Sequence, residues 1–217
     1  MTFPFPTFNP LVTVPPSISY RDAPGSASDL STYTFSGVDI GTAGANRHVI
    51  VGIMSLDNAL GLTGISSVTI GGVSASTQSA SNAADGSFAA LVIAAVPTGT
   101  TADIVVNMTT TQARLRIGVW AAYDLVSPIA AATAQSVADP AALSLNVQLG
   151  DIVVACGFNN TTSTASWTGA TERFDRSLEG ANESGADHTA TSAESPRTIT
   201  LDWSSPNRRN AVSAAWR

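Results

Sequence analysis

Lysine is absent from this 217-residue chain, and all ten of its basic residues are arginine. Charged residues of both signs make up only 12% of it, about half the share of an average soluble chain. So little charge excludes a coiled coil, which needs dense Glu, Lys and Leu. A net charge of −6 and a pI near 4.6 argue against a basic nucleic-acid-binding surface, so no nucleic-acid partner is expected. One cysteine, Cys156, permits no disulfide within the chain. With only two histidines beside it, a Cys/His metal site lacks ligands. No metal or cofactor is expected. No stretch of 18 residues is apolar throughout, so neither a transmembrane helix nor a membrane partner is expected. The first twenty residues have no basic n-region and no continuous apolar stretch, and no secretory signal is expected.

What the chain does hold is small and β-prone. Ser and Thr together number 51, Ala 34 and Gly 17, with 44% hydrophobic residues, too many for a disordered acidic tail. Residues 1–30 read as an extended arm, and its first sixteen are the most distinctive part. Pro4, Pro6, Pro10, Pro15 and Pro16 alternate there with Phe3, Phe5, Phe8, Leu11, Val12 and Val14. Each proline fixes φ and holds its predecessor extended, which excludes a helix. Proline also cannot donate to a ladder, which excludes a central strand. Phe3, Phe5, Phe8, Leu11 and Val12 are costly to leave in water. They are the candidate interface residues of a docking arm, onto the same subunit or a neighbour.

Beyond the arm, short β-branched or alternating runs are separated by Gly, Pro, Asn and Ser turns. Examples are Val49-Ile50-Val51-Gly52-Ile53, Leu91-Val92-Ile93, Arg114-Leu115-Arg116-Ile117 and Ile152-Val153-Val154. This pattern predicts an all-β antiparallel sandwich, jelly-roll- or lectin-like, over residues 31–217. Only residues 128–142, rich in Ala, leave room for a helical turn. The two halves, about 32–121 and 141–216, can be laid over one another as pseudo-repeats. Val38-Asp39-Ile40-Gly41 falls on Val147-Gln148-Leu149-Gly150, Val49-Ile50-Val51 on Ile152-Val153-Val154, and Ile70-Gly71-Gly72 on Trp167-Thr168-Gly169. Gln112 through Trp120 falls on Arg208 through Trp216. The pattern predicts two halves packed face to face as one sandwich, with Trp120 and Trp216 as matched core residues. The strand ending at Trp216 builds the C-terminus into a sheet.

No catalytic constellation is legible. His48 and His188 have no Ser in a nucleophile elbow beside them, and His188 sits in what reads as a polar loop, residues 183–188. Glu172 with Asp175, or Glu179 with Glu183, are the paired carboxylates a glycosidase would need. The alternation Glu172-Arg173-Phe174-Asp175-Arg176 reads instead as cross-strand ion pairing on a solvated face. Asp57, Asp85 and Asp187 occur without the D-x-[DN]-x-[DN]-G run of a calcium loop.

The strings Val68-Thr69-Ile70-Gly71-Gly72-Val73, Leu91-Val92-Ile93-Ala94-Ala95-Val96-Pro97 and Trp167-Thr168-Gly169-Ala170-Thr171-Glu172-Arg173 resemble small β-sandwich virion proteins of tailed phages and prophages of α-proteobacteria. The resemblance spans residues 32–216 and carries no defined site. It implies a non-enzymatic virion component made in a host cytoplasm, a capsid decoration or head-surface protein. Its partners would be copies of itself and a major capsid or other virion protein. The other reading is a tail or fibre module that binds host-surface carbohydrate, with Trp167 and Trp203 as the candidate glycan contacts.

Overall fold

The computed structural model describes residues 14–59 and 61–217. Among them there are strands and no helix. The first half contributes β1 (Ser17–Asp22), β2 (Gly25–Ser26), β3 (Leu30–Asp39), β4 (Arg47–Asp57), β5 (Ile65–Ile70), β6 (Val73–Ser74), β7 (Ser76–Asn82), β8 (Ser87–Ala95) and β9 (Thr101–Tyr123). The second contributes β10 (Ala132–Ser136), β11 (Ala141–Val147), β12 (Ile152–Asn159), β13 (Ala165–Thr168), β14 (Thr171–Leu178), β15 (Ala181–Thr189), β16 (Glu194–Trp203) and β17 (Arg209–Trp216). All pairings are antiparallel. The fold is an antiparallel β-sandwich.

The layers number four rather than two. Strand β9 is long enough to serve two of them. Its first half lies between β3 and β5, and its second half between β4 and β1. This gives the first lobe an outer layer, β6-β5-β9-β3, and an inner layer, β7-β8-β4-β9-β1. The second lobe has an inner sheet, β10-β17-β12-β15-β14, and an outer sheet, β11-β16-β13. Each half is thus a sandwich of its own. The expected facing of one half against the other occurs between the two inner layers.

Burial explains which strand went where. Outer strands need only one apolar face, so they alternate: β11 is buried at Ala141, Leu143, Leu145 and Val147 and exposed between. Inner strands are covered on both faces and must be apolar or small at nearly every position. Every residue of β12 is buried, and β4 and β8 are buried almost throughout. A continuous apolar run bounded by turns is the sequence signature of such a strand. Odd residues of β4 (Val49, Val51, Ile53) enter the first lobe's core, while Ile50, Met54 and Leu56 enter the core between lobes.

The two lobes repeat one strand order: β1, β3, β4, β5, β7, β8 and the two halves of β9 occupy the places of β10, β11, β12, β13, β14, β15, β16 and β17. Trp120 and Trp216 both lie fully buried in the core between lobes. The superposition of Val49 on Ile152 is one residue out, because Val49 faces its own lobe's core whereas Ile152 faces the other lobe. Where the inner layers meet, β4 lies against β12, β8 against β12 and β17, β7 against β10 and β17, and β1 against β15.

Two further expectations are corrected. Residues 128–142 hold no helical turn. They pass through β10, which pairs with β17 from Ala132↔Ala215 to Ser136↔Ala211, and enter β11. Residues 17–26, read as arm, form β1 and β2 on the edge of the first inner layer, because Ile18 and Tyr20 alternate onto the core between lobes. Phe3, Phe5, Phe8, Leu11 and Val12 lie outside the described residues.

The packing leaves no room at certain glycines. A Cβ on Gly157 would stand 2.4 Å from Leu201 Cδ2 and 3.0 Å from the Trp203 ring. Gly157→Ala is therefore expected to destabilise the fold by about 1–3 kcal/mol through overpacking. Thermal melting reads this directly, and an unchanged melt would mean that Leu201 and Trp203 can move aside.

Candidate functional site

The seam between lobes gathers three buried charged residues, Arg116, Glu183 and Asp187. It is built where β1 and β9 of the first lobe pass over β14 and β15 of the second. Phe174 lies against Gly118 and Gly185, where any Cβ would fall within 2.4–2.6 Å of its ring. Tyr20 stacks on Phe174 at 5.8 Å between ring centroids, and Trp120 meets both rings at 5.9 and 6.0 Å. The Trp120 indole N–H donates to Asp187 at 2.9 Å, and Arg173 clamps the same carboxylate through two bonds of 2.8 and 2.7 Å.

Deeper in the seam, Arg116 Nε donates to Glu183 Oε2 at 3.3 Å, and its Nη1 donates to the Ala23 carbonyl at 2.6 Å. Glu183 is wholly buried, and its Oε1 has no hydrogen-bond partner among the described residues. Loss of hydration pushes its carboxyl up to about 7, with Arg116 and Arg114 pulling the other way. A carboxyl displaced this far marks a functional site in many enzymes. Here it has no opening to solvent, and its partners tie one lobe to the other.

The remaining carboxylates are separated or engaged. Glu179 sits in the exposed β14–β15 turn, apart from buried Glu183. Glu172 is exposed on β14, and burial and then Asp175 raise its carboxyl. Asp175 accepts the Ala165 amide and the Asn182 side chain. Asp57 accepts the Ala59 amide and the Thr110 hydroxyl. Among the described residues, no group of three or more His, Cys, Asp or Glu side chains is placed to hold a metal ion.

His188 does not lie in a polar loop. It belongs to β15, a strand in the middle of the second inner sheet, paired with Val153. His48 is the second residue of β4, opposite Ala95 and Ala122. Burial lowers both imidazoles.

Of the two tryptophans proposed as glycan platforms, Trp203 is buried and Trp167 is half-buried. Trp203 is 2% exposed, sunk with Leu143 and Leu201 between the second lobe's two sheets. Trp167 is partly buried against the same core and donates its indole N–H to Ser184 Oγ at 2.7 Å. The alternation Ile199, Leu201, Trp203 could have shown this, since residues two apart on a strand share a face.

Cys156 is fully buried opposite Gly52, where a Cβ would stand 3.1 Å from its sulfur. Burial pushes the thiol up to about 12. Folded protein is expected to leave a disulfide-exchange reagent unreacted at pH 8, with one equivalent reacting after unfolding in guanidinium. Prompt reaction of native protein would show that the lobes open.

The described surface has one end of different character, built from loops where β1 begins and β17 finishes. A groove of about 230 Å³ there is lined by Pro16, Val126, Leu149, Gly150, Asp151 and Arg217 among others. A second of about 500 Å³ is lined by Val14, Asn46, His48, Asp124, Leu125 and Val126 among others. Val126, Leu149 and Val14 are 85%, 74% and 62% exposed. The neighbouring polar groups are engaged within the chain. Asp151 accepts the Gln148 amide at 2.9 Å and lies 3.4 Å from Arg217 Nε, while the Arg217 carbonyl accepts the Val126 amide at 2.5 Å. Arg47, fully buried beneath, donates to the carbonyls of Val96, Gly41 and Thr98, each at 2.7 Å.

No protein-family model matches the chain, and no curated protein matches it. Among solved structures it is similar to the crystal structure of the PBSX exported protein XepA, at 10% identity, over 93% of this chain and 86% of that one, with a TM-score of 0.27. That likeness is too distant to bear on function.

Proposed function

We propose that the protein is a non-enzymatic structural component of a bacteriophage particle, a capsid decoration or head-surface protein that attaches through its N-terminal arm. The assignment to a particle rests on the resemblance carried by residues 68–73, 91–97 and 167–173. The mode of action rests on one structural observation. Exposed Val14, Val126 and Leu149 gather at the end where the uncharged, phenylalanine-rich segment 1–13 joins the body. Apolar surface of this kind marks a place of attachment. Buried Arg116, Glu183 and Asp187 serve the seam between lobes, and a fold tied in this way suits a rigid component that works by binding alone. The carbohydrate-reading alternative loses one of its two candidate contacts, because Trp203 is packed inside.

Gold-labelled antibody on intact particles from the source tests the reading. Label is expected over the head, and its absence from every particle overturns the reading. A chain lacking residues 1–16 is expected to fold, with its melting temperature within a few degrees of the full chain, because β1 begins at Ser17. It is expected to be missing from particles. Normal incorporation of that chain would refute the arm's role.

A further inference from the structure

We propose that the apolar end of the molecule is the seat for residues 3–12 of a second copy of this chain, so that copies are joined by exchanging arms. This deepens the reading above, on which the arm is a docking element. It commits the arm to a binding surface and to a partner.

The seat is defined by chemistry. Two grooves flank Val126, one closed by Leu149 and Pro16 and the other by Val14 and Leu125. Of the charged groups at their rims, Asp151 and Arg217 already face one another and Asp124 accepts the Asn46 side-chain amide at 2.9 Å. An occupant therefore gains most by being apolar and free of charge. Residues 1–13 carry no charged side chain and hold Phe3, Phe5, Phe8, Leu11 and Val12. This segment joins the described chain at Val14, itself a wall of the second groove.

Reach favours a second copy over the arm's own groove. Chain direction is set by β1, whose first pair is Ser17↔Tyr123, so residues 14–16 continue past the end of β9. Seating the phenylalanines in the groove beside Pro16 requires a reversal at that point. Pro10, Pro15 and Pro16 oppose it, because each fixes φ and holds its predecessor extended. At about 3.1 Å per residue, a proline-rich stretch of six residues spans roughly 20 Å and one of eleven roughly 35 Å, a length that reaches a neighbouring copy. Each buried phenylalanine contributes about 150–250 Å², so a mutual exchange of three per chain buries about 900–1,500 Å². That is close to the roughly 1,200–2,000 Å² of a stable interface.

The test uses the full chain and two variants, followed by sedimentation velocity from about 1 to 200 µM. One variant carries Val126→Asp and Leu149→Asp, at exposed positions where folding is not at stake. The other carries Phe3→Ser, Phe5→Ser and Phe8→Ser. Wild-type protein is expected to associate with rising concentration, and each variant to remain a monomer with an unchanged melting temperature. An equimolar mixture of the two variants is expected to form a dimer, since one keeps the arm and the other the seat. A wild-type chain that stays monomeric overturns the proposal, as does a groove variant that still associates or a mixture that does not pair. Failure here is separable from failure of the functional reading. A monomeric chain that still labels phage heads removes arm exchange and leaves the virion role, whereas an exchanging dimer found on no particle does the reverse.

Discussion

A chain ending at Asn207 is expected not to fold. The missing residues include β17, which is hydrogen-bonded along its length to β12 on one side and β10 on the other. Val212, Ala214 and Trp216 project into the core between lobes, while Ala211 and Ala215 project into the second lobe's own cores. Removing the strand opens cores on both faces, strands β10 from its sheet and leaves the β12 edge unpaired. Trp216→Ala alone should cost about 3–5 kcal/mol, as large aromatic truncations in cores do. The whole strand exceeds the roughly 5–15 kcal/mol by which domains are stable. Circular dichroism and urea titration of the truncated chain should show no cooperative transition. A native-like spectrum with a cooperative melt would mean that the remaining sheets close without β17. Trp216→Ala supplies a graded version, expected to fold but to unfold at lower urea.

The second large effect depends on pH. The Glu183 carboxyl stands at about 7 in the fold against 4.5 for a free side chain. Between these values the folded chain keeps a proton that the unfolded chain releases. The group's contribution is thus fully present below about pH 4.5 and is lost as pH rises through about 7. At about 1.4 kcal/mol per unit, the difference amounts to roughly 3 kcal/mol. Glu183→Gln, which cannot ionise, is expected to match wild type at pH 4.5 and to exceed it by up to that amount at pH 8.5. Arg116→Met is expected to show the opposite sign. It leaves an ionised carboxylate buried and unpaired at pH 8.5, a loss of about 3–5 kcal/mol, and much less at pH 5, where Glu183 holds its proton. Urea titrations of the three proteins at both pH values settle the matter. Parallel stability curves across pH would show that Glu183 ionises normally and that the seam admits water.

Much of this architecture is written in local pattern. The runs around Val49, Leu91, Leu115 and Ile152 all lie in strands, and the closing positions of Trp120 and Trp216 as core residues follow from their strands. The number of layers was not legible. Periodicity reports whether a strand is covered on one face or both, but not what covers it, so β4 and β12 read as core strands without revealing a second sheet behind each. Strand β15 was hidden for a related reason. Glu183 and Asp187 look like loop residues because their partners Arg116 and Trp120 come from the first lobe. Gly185 looks like a turn residue but is a strand position beneath Phe174. The apolar end was missed because Val126 and Leu149 are single residues in separate loops, and only the fold sets them side by side.

Having an inner layer covered on both faces has a cost in time during synthesis. The first lobe's strands are complete once Tyr123 has emerged, yet Ile50, Met54, Leu91 and Trp120 are buried only by residues of the second half. At translation rates of about 5–20 residues per second, the remaining ninety or so residues take roughly 5–20 s. Throughout that interval a finished sandwich displays a broad apolar sheet. The last strand to leave the ribosome, β17, lies against β7 and β8 and supplies Trp216 to that face. The nascent chain is thus most vulnerable to clumping when it is about half made, and slowing the ribosome within the second half should lower the yield of soluble protein more than slowing it within the first.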